Sequence, residues 1–142
     1  MARALKVLHD NNIIHRDLKS ANIFITSEGE YKLADFNVAK LVKNYNGLAD
    51  TKVGTPYYTS PEVWDSEGYG VRSDIWSLGV IVYELTCLEL PFPANSFAEL
   101  YQKIFRAKPN KIPSCFSDDL SRVIFSMLNK NPLKRPSADQ LI

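Results

Sequence analysis

His15-Arg16-Asp17-Leu18-Lys19-Ser20-Ala21-Asn22 is the stretch on which the reading of this chain turns. It is polar and dense in charge. Ile13-Ile14 before it and Ile23-Phe24-Ile25 after it are short β-branched runs that read as strands. The charges therefore sit in a loop between two strands.

Moving outward, residues 1–12 place Leu5 and Leu8 on one face at helical spacing, with Ala4 beside them and Asn11-Asn12 as a stop signal. Downstream, Ser27-Glu28-Gly29-Glu30 reads as a turn and Tyr31–Ala34 as a strand, so residues 23–34 are expected to form a small hairpin. From Asn37 to Gly70 the pattern is irregular and punctuated by glycine and proline, and so long an irregular stretch inside a compact domain points to function. A helix is expected from Ser73, as its cap, to about Cys87. It is apolar nearly all round, which puts it at the centre of the core. Three more helices are expected. Ser96 to about Arg106 carries a Ser96/Glu99 capping box, Asp118 to Leu128 follows Ser117 as N-cap, and the last starts at Ser137 with Gln140. The fold class is mainly α with a small β hairpin.

The 142 residues suit one domain, and 45% hydrophobic with 23% charged residues is ordinary for a packed globular chain. A net charge of +1 offers no case for nucleic acid or an anionic membrane. Cys87 and Cys115 are too few for a disulfide framework and suit a reducing interior. The most apolar window, Ile75 to Leu85, is about half of what spans a bilayer and contains Ser77 and Glu84, so it reads as a core helix. No secretory leader opens the sequence, and both ends look like cuts through a larger unit.

Residues 15–22 resemble the catalytic loop of protein kinases, H-R-D-L-x-x-x-N. Thirteen residues after Asn22 comes Asp35-Phe36, where kinases have D-F-G, and Ser60-Pro61-Glu62 stands where they have A-P-E. Ser73-Asp74-Ile75-Trp76-Ser77-Leu78-Gly79 resembles the start of the central helix of the large lobe, and Arg135 sits near the end as in a kinase. The resemblance covers essentially the whole chain. It implies a kinase-like C-terminal lobe over residues 1–142, with catalytic loop 15–22, activation segment 35–62 and core helix about 73–87.

Phosphoryl transfer needs positioning and charge neutralisation more than covalent chemistry. The resemblance implies that Asp17 accepts the proton of a substrate Ser/Thr hydroxyl and that Lys19 neutralises the transferred phosphate. ATP and Mg2+ are the implied cofactors. Asn22 and Asp35 would be the hard oxygen ligands of the metal, and Phe24 would floor the adenine pocket. His15 and Phe36 would pack in the supporting stack. Thr55 would bond Asp17 and Lys19. Glu62 and Arg135 would form a structural ion pair, and Asp74 would hold the loop backbone. Asn37 departs from the usual glycine. If a left-handed φ is needed there, asparagine is the least costly substitute.

The subfamily resemblance is to the NIMA-related (NEK) serine/threonine kinases. It rests on Val53-Gly54-Thr55-Pro56-Tyr57-Tyr58, Asn22-Ile23-Phe24-Ile25, Ile112-Pro113-Ser114 and Asn131-Pro132-x-x-Arg135-Pro136-Ser137-Ala138. The implied partner is a protein substrate bearing Ser/Thr, with no nucleic acid and no membrane. The implied location is intracellular and cytoplasmic, open to association with the cytoskeleton.

Only 14 residues precede His15, so this stretch holds no Gly-rich loop, strand lysine or pairing glutamate of an N-terminal lobe. The expectation is a fragment with one wall of an ATP site, inactive alone, and with apolar surface uncovered around Ile13, Phe24 and Phe36. The alternative is a pseudokinase or truncated product acting as a protein-binding scaffold.

Thr51 stands four residues before Thr55, where the family carries an activating phosphosite, and Arg16 could pair with a phosphate there. Thr51→Ala in the complete kinase should therefore lower activity. Unchanged activity would remove Thr51 from the scheme.

Overall fold

The structure, a computed structural model, describes residues 1–37, 39–41 and 56–142. Thr51 and Thr55 lie outside the described residues, as do residues 38 and 42–55 of the irregular stretch. The described residues are mainly helical with two small antiparallel sheets, which agrees with the expected class.

Helix α1 (Ala2–Asp10) buries Leu5 and His9, one turn apart. It stops where the Asn11 carboxamide donates to the Val7 carbonyl (2.8 Å) and Asn12 takes a left-handed φ of 56°, which asparagine tolerates. Strand β1 (Ile13–Ile14) follows. Strands β2 (Ile23–Ile25) and β3 (Tyr31–Leu33) form the expected hairpin, with Ile23 opposite Leu33 and Ile25 opposite Tyr31. Gly29 at φ 80° makes the turn, a conformation that a Cβ penalises. Strand β4 (Lys40–Leu41) pairs with β1, Ile13 facing Leu41. Two residues on each side are too few to show a period, so this pair was not legible in the sequence. It also covers Ile13, which is only partly exposed, whereas Phe24 and Phe36 are open to solvent as expected.

After the short α2 (Pro61–Trp64) comes α3 (Val71–Cys87), the axis of the core. Residues 73–81 are all buried. The helix begins two residues earlier than expected. Ser73 is not its cap, because the Ser73 hydroxyl donates to Glu62 Oε1 (2.8 Å) while accepting the Gly70 N–H (3.2 Å). Helix α5 (Asp118–Met127) packs close on α3 at Gly79, where a Cβ would stand 2.8 Å from that of Met127. Helix α4 (Phe97–Arg106) turns Leu100 and Ile104 inward and is capped by Ser96, which accepts the Glu99 N–H. Glu99 reaches back to the Asn95 N–H rather than to Ser96. The Ser137/Gln140 capping box forms in both directions, on a 3-10 turn at Asp139–Leu141. Among the described residues no helix is long and apolar enough to cross a membrane.

Glu62 and Arg135 form the expected ion pair, bidentate at 2.6 and 2.7 Å and buried. The remaining Arg135 donors reach the carbonyls of Asn129 (2.7 Å), Arg72 (3.0 Å) and Lys130 (3.2 Å), so the whole guanidinium fork is satisfied. Burial pushes the Glu62 carboxyl up, but Arg135 outweighs this and holds it below the usual range. Above the fork, Trp76 stacks flat on Phe92 with ring centroids 5.7 Å apart.

The Lys130 ammonium lies 4.0 Å from the Phe92 ring centre and 5.1 Å from that of Trp76, buried and, among the described residues, without a hydrogen-bond acceptor. Burial, then the nearby Arg135 charge, push its pKa down to about 8 from 10.5. Between those values the unfolded chain binds more protons than the folded one, so the penalty is full below about 8 and gone above 10.5. Lys130→Met, which keeps the apolar stem, should raise the thermal midpoint of the full-length protein by a few degrees at neutral pH. The gap should close as pH rises from about 8 toward 10. A gap independent of pH would contradict this.

Candidate active site

The loop of residues 15–22 is positioned by a side chain nearly sixty residues away. Asp74, fully buried in the first turn of α3, accepts the backbone N–H of His15 (Oδ2, 3.0 Å) and of Arg16 (Oδ1, 3.0 Å). His9 Nε2 from α1 lies 2.9 Å from the same carboxylate. Arg16 takes φ 74°, costly for a side chain bearing a Cβ, and the two bonds to Asp74 offset that cost. This is the role expected of Asp74. His9 was missed, although its place one turn after Leu5 on the buried face of α1 was a signal for it.

Beyond this anchor the loop brings three functional groups together. Lys19 Nζ is 2.6 Å from Asp17 Oδ2. The Asn22 carboxamide donates to the Asp17 carbonyl (2.8 Å) and to Asp17 Oδ2 (3.3 Å). The Asn22 N–H bonds the Lys19 carbonyl (3.0 Å), closing the turn between them. Asp17 thus has a cation and an amide donor on one carboxylate oxygen, and the backbone holds all three in register.

Asp35 follows the hairpin directly. The Ala34 N–H donates to the Asn22 carbonyl (3.0 Å), extending the β2–β3 ladder by one step, and Asp35 is the next residue along the chain. His15 braces this junction. Its Nδ1 lies 3.4 Å from the Asp17 N–H, its Nε2 is 3.2 Å from the Ala34 carbonyl, and its ring meets Phe36 edge-on at 5.1 Å. These contacts place Phe36 against the His15 ring.

Asparagine at position 37 was expected to be the least costly substitute if a left-handed φ were needed there, and that condition is not met. The left-handed residue is Asp35, at φ 64°, and Asn37 is not among the positive-φ residues. Aspartate tolerates that region because its short polar chain bonds locally, here from the Asn37 N–H to Asp35 Oδ1 at 3.4 Å. The conformational demand falls on the acid itself, so it supplies no reason for glycine at position 37.

The donor set suits magnesium. The Asn22 nitrogen is spent on Asp17, which leaves its carbonyl oxygen as a hard neutral donor, and Asp35 offers a carboxylate. Phe24, on β2, is 58% exposed, open for a ring to stack on. Arg16 is buried, and its proposed phosphate partner Thr51 lies outside the described residues, as do the contacts expected of Thr55. Glu62 and Arg135 stand apart from the loop and act on the frame. Sequence reasoning also missed the chain Ser20–Tyr58–Glu84 (3.0 and 2.8 Å), whose members are too far apart in sequence to form a motif.

Comparison with known proteins accords with this geometry. The protein kinase domain family matches residues 1–142. Serine/threonine-protein kinase Nek3 of Mus musculus is 44% identical over 95% of the chain, and Nek2 of Homo sapiens is 42% identical over 98%. Nek4 of Mus musculus is 37% identical over the whole chain. The chain spans 26%, 32% and 18% of the length of these relatives, respectively. From the match over its full length, and from the loop geometry that the match accounts for, the chain belongs to the protein kinase domain family.

Proposed function

We propose that this chain is the large-lobe part of a NEK-like serine/threonine kinase catalytic domain, which transfers the γ-phosphate of ATP to a protein Ser/Thr hydroxyl. The observation that carries this reading is the Asp17–Lys19–Asn22 cluster, held on a loop that Asp74 ties to the core helix.

Asp17 accepts and orients the substrate hydroxyl, and as the hydroxyl attacks, its proton passes to the Asp17 carboxylate. Lys19 balances charge building on the transferred group, and its 2.6 Å contact keeps it at the reacting end of Asp17. Asn22 holds Asp17 from the other side. Asn22 and Asp35 would hold magnesium, which when bound neutralises and bridges phosphate oxygens. The exposed face of Phe24 would take the adenine ring. In this reading residues 35–62 are the activation segment. Cys87 and Cys115 as free thiols support a place in the reducing interior of the cell.

Two variants of the full-length protein test this. Asp17→Asn keeps the shape and removes the base, so phosphate transfer to a protein substrate should fall by about 10²- to 10⁴-fold, with the thermal midpoint and ATP binding retained. Asp74→Ala should do something different. It strands two backbone N–H groups and His9, at a cost of roughly 1–3 kcal/mol for each unsatisfied group, so the midpoint and activity should fall together. A wild type that binds its protein partners but transfers no phosphate would instead support the scaffold reading.

A further inference from the structure

We propose that Ser20 is a positioning residue for the protein substrate, acting through Tyr58; this rests on the kinase reading above. Tyr58 is fixed to α3 at both ends. Its carbonyl accepts the Ser77 hydroxyl (2.8 Å), and its phenol lies 2.8 Å from Glu84 Oε2. A carboxylate oxygen only accepts, so the single phenolic proton is committed to Glu84. The Ser20 hydroxyl, 3.0 Å from the same phenol, must then be the donor. The chain has one direction, Ser20 to Tyr58 to Glu84. Burial raises the Tyr58 pKa, Ser20 lowers it and Glu84 raises it again, so the phenol keeps its proton at neutral pH and the direction does not change.

The two ends of this chain do different things. Ser20 directly follows Lys19, and the Lys19 carbonyl closes the turn to Asn22. Tyr58 ends the 3-10 turn Pro56–Tyr58, just before α2. Their bond therefore sets the spacing between the loop that carries Asp17 and the segment bordering it. In this proposal a protein substrate crosses that segment to bring its hydroxyl to Asp17, whereas ATP would be held by Phe24, Asn22 and Asp35. The Asp17, Lys19 and Asn22 contacts do not pass through Ser20, so its loss should affect protein substrate and not nucleotide.

Steady-state kinetics of the full-length protein, with casein as the probe substrate, test this. Ser20→Ala should raise KM for casein about three- to tenfold, the range that one neutral hydrogen bond supports. KM for ATP and the thermal midpoint should be unchanged. Ser20→Thr, which keeps the hydroxyl, should restore KM. In a Tyr58→Phe background, Ser20→Ala should add nothing, because the acceptor is already gone. An unchanged KM for casein, an equal rise for ATP, no rescue by threonine or an additive double variant each overturns the proposal. An inactive wild type overturns the kinase reading and this inference with it. An active wild type indifferent to Ser20→Ala overturns this inference alone.

Discussion

The buried carboxylate of Asp74 is the constraint from which the candidate site is built. A charge in a protein interior is costly unless donors surround it, and Asp74 meets two backbone N–H groups and His9 there. The dependence is mutual. Helix α3 is apolar and rigid, and it offers the loop one polar handle; the loop, in return, supplies the donors that make the handle tolerable. Because those donors are backbone groups of His15 and Arg16, Asp74 fixes main chain rather than a mobile side-chain tip. Asp17 follows at once along that main chain. A small displacement of α3 would therefore move the Asp17 carboxylate as well.

A second clamp acts at the same N-terminal end of α3. Glu62 and Arg135 join the segment before α3 to the turn after α5, and Ser73 adds the N-terminal turn of α3 to the same knot. The guanidinium fork holds three carbonyls as well as the carboxylate, so its removal would orphan backbone acceptors along with one charge. Lys130 stands beside this arrangement as its counter-example. It is a buried cation with aromatic faces for company and no acceptor, and its lowered pKa records the difference between attraction and solvation. The two cations share a neighbourhood, and among the described residues Arg135 alone of the two has hydrogen-bond acceptors.

Local signals gave a fair account of elements and a poor one of their joints. The hairpin, α4, α5 and the core helix were legible because period, caps and turn residues act over a few positions. The start of α3 was misplaced by two residues, because the Ser73 hydroxyl was assigned to a local cap while Glu62, eleven residues back, takes its proton. The β1–β4 pair had no legible signal. At Asn37 the reasoning about left-handed backbone was sound in kind and wrong in place, since Asp35 carries that conformation.

The sequence by itself determined which side chains the proposed chemistry can draw on. Asp17, Lys19, Asn22 and Asp35 stand at the spacings on which the kinase resemblance rests, and residue type and offset are covalent facts that need no fold to be read. The tertiary structure alone decided how those groups are held. That His9 shares Asp74 with the loop, that the β2–β3 ladder ties Ala34, the neighbour of Asp35, to Asn22, and that Ser20 reaches Glu84 through Tyr58 all depend on packing between segments apart in sequence. Contacts of that kind leave no periodic trace along a chain, since their only common cause is the core that brings them together.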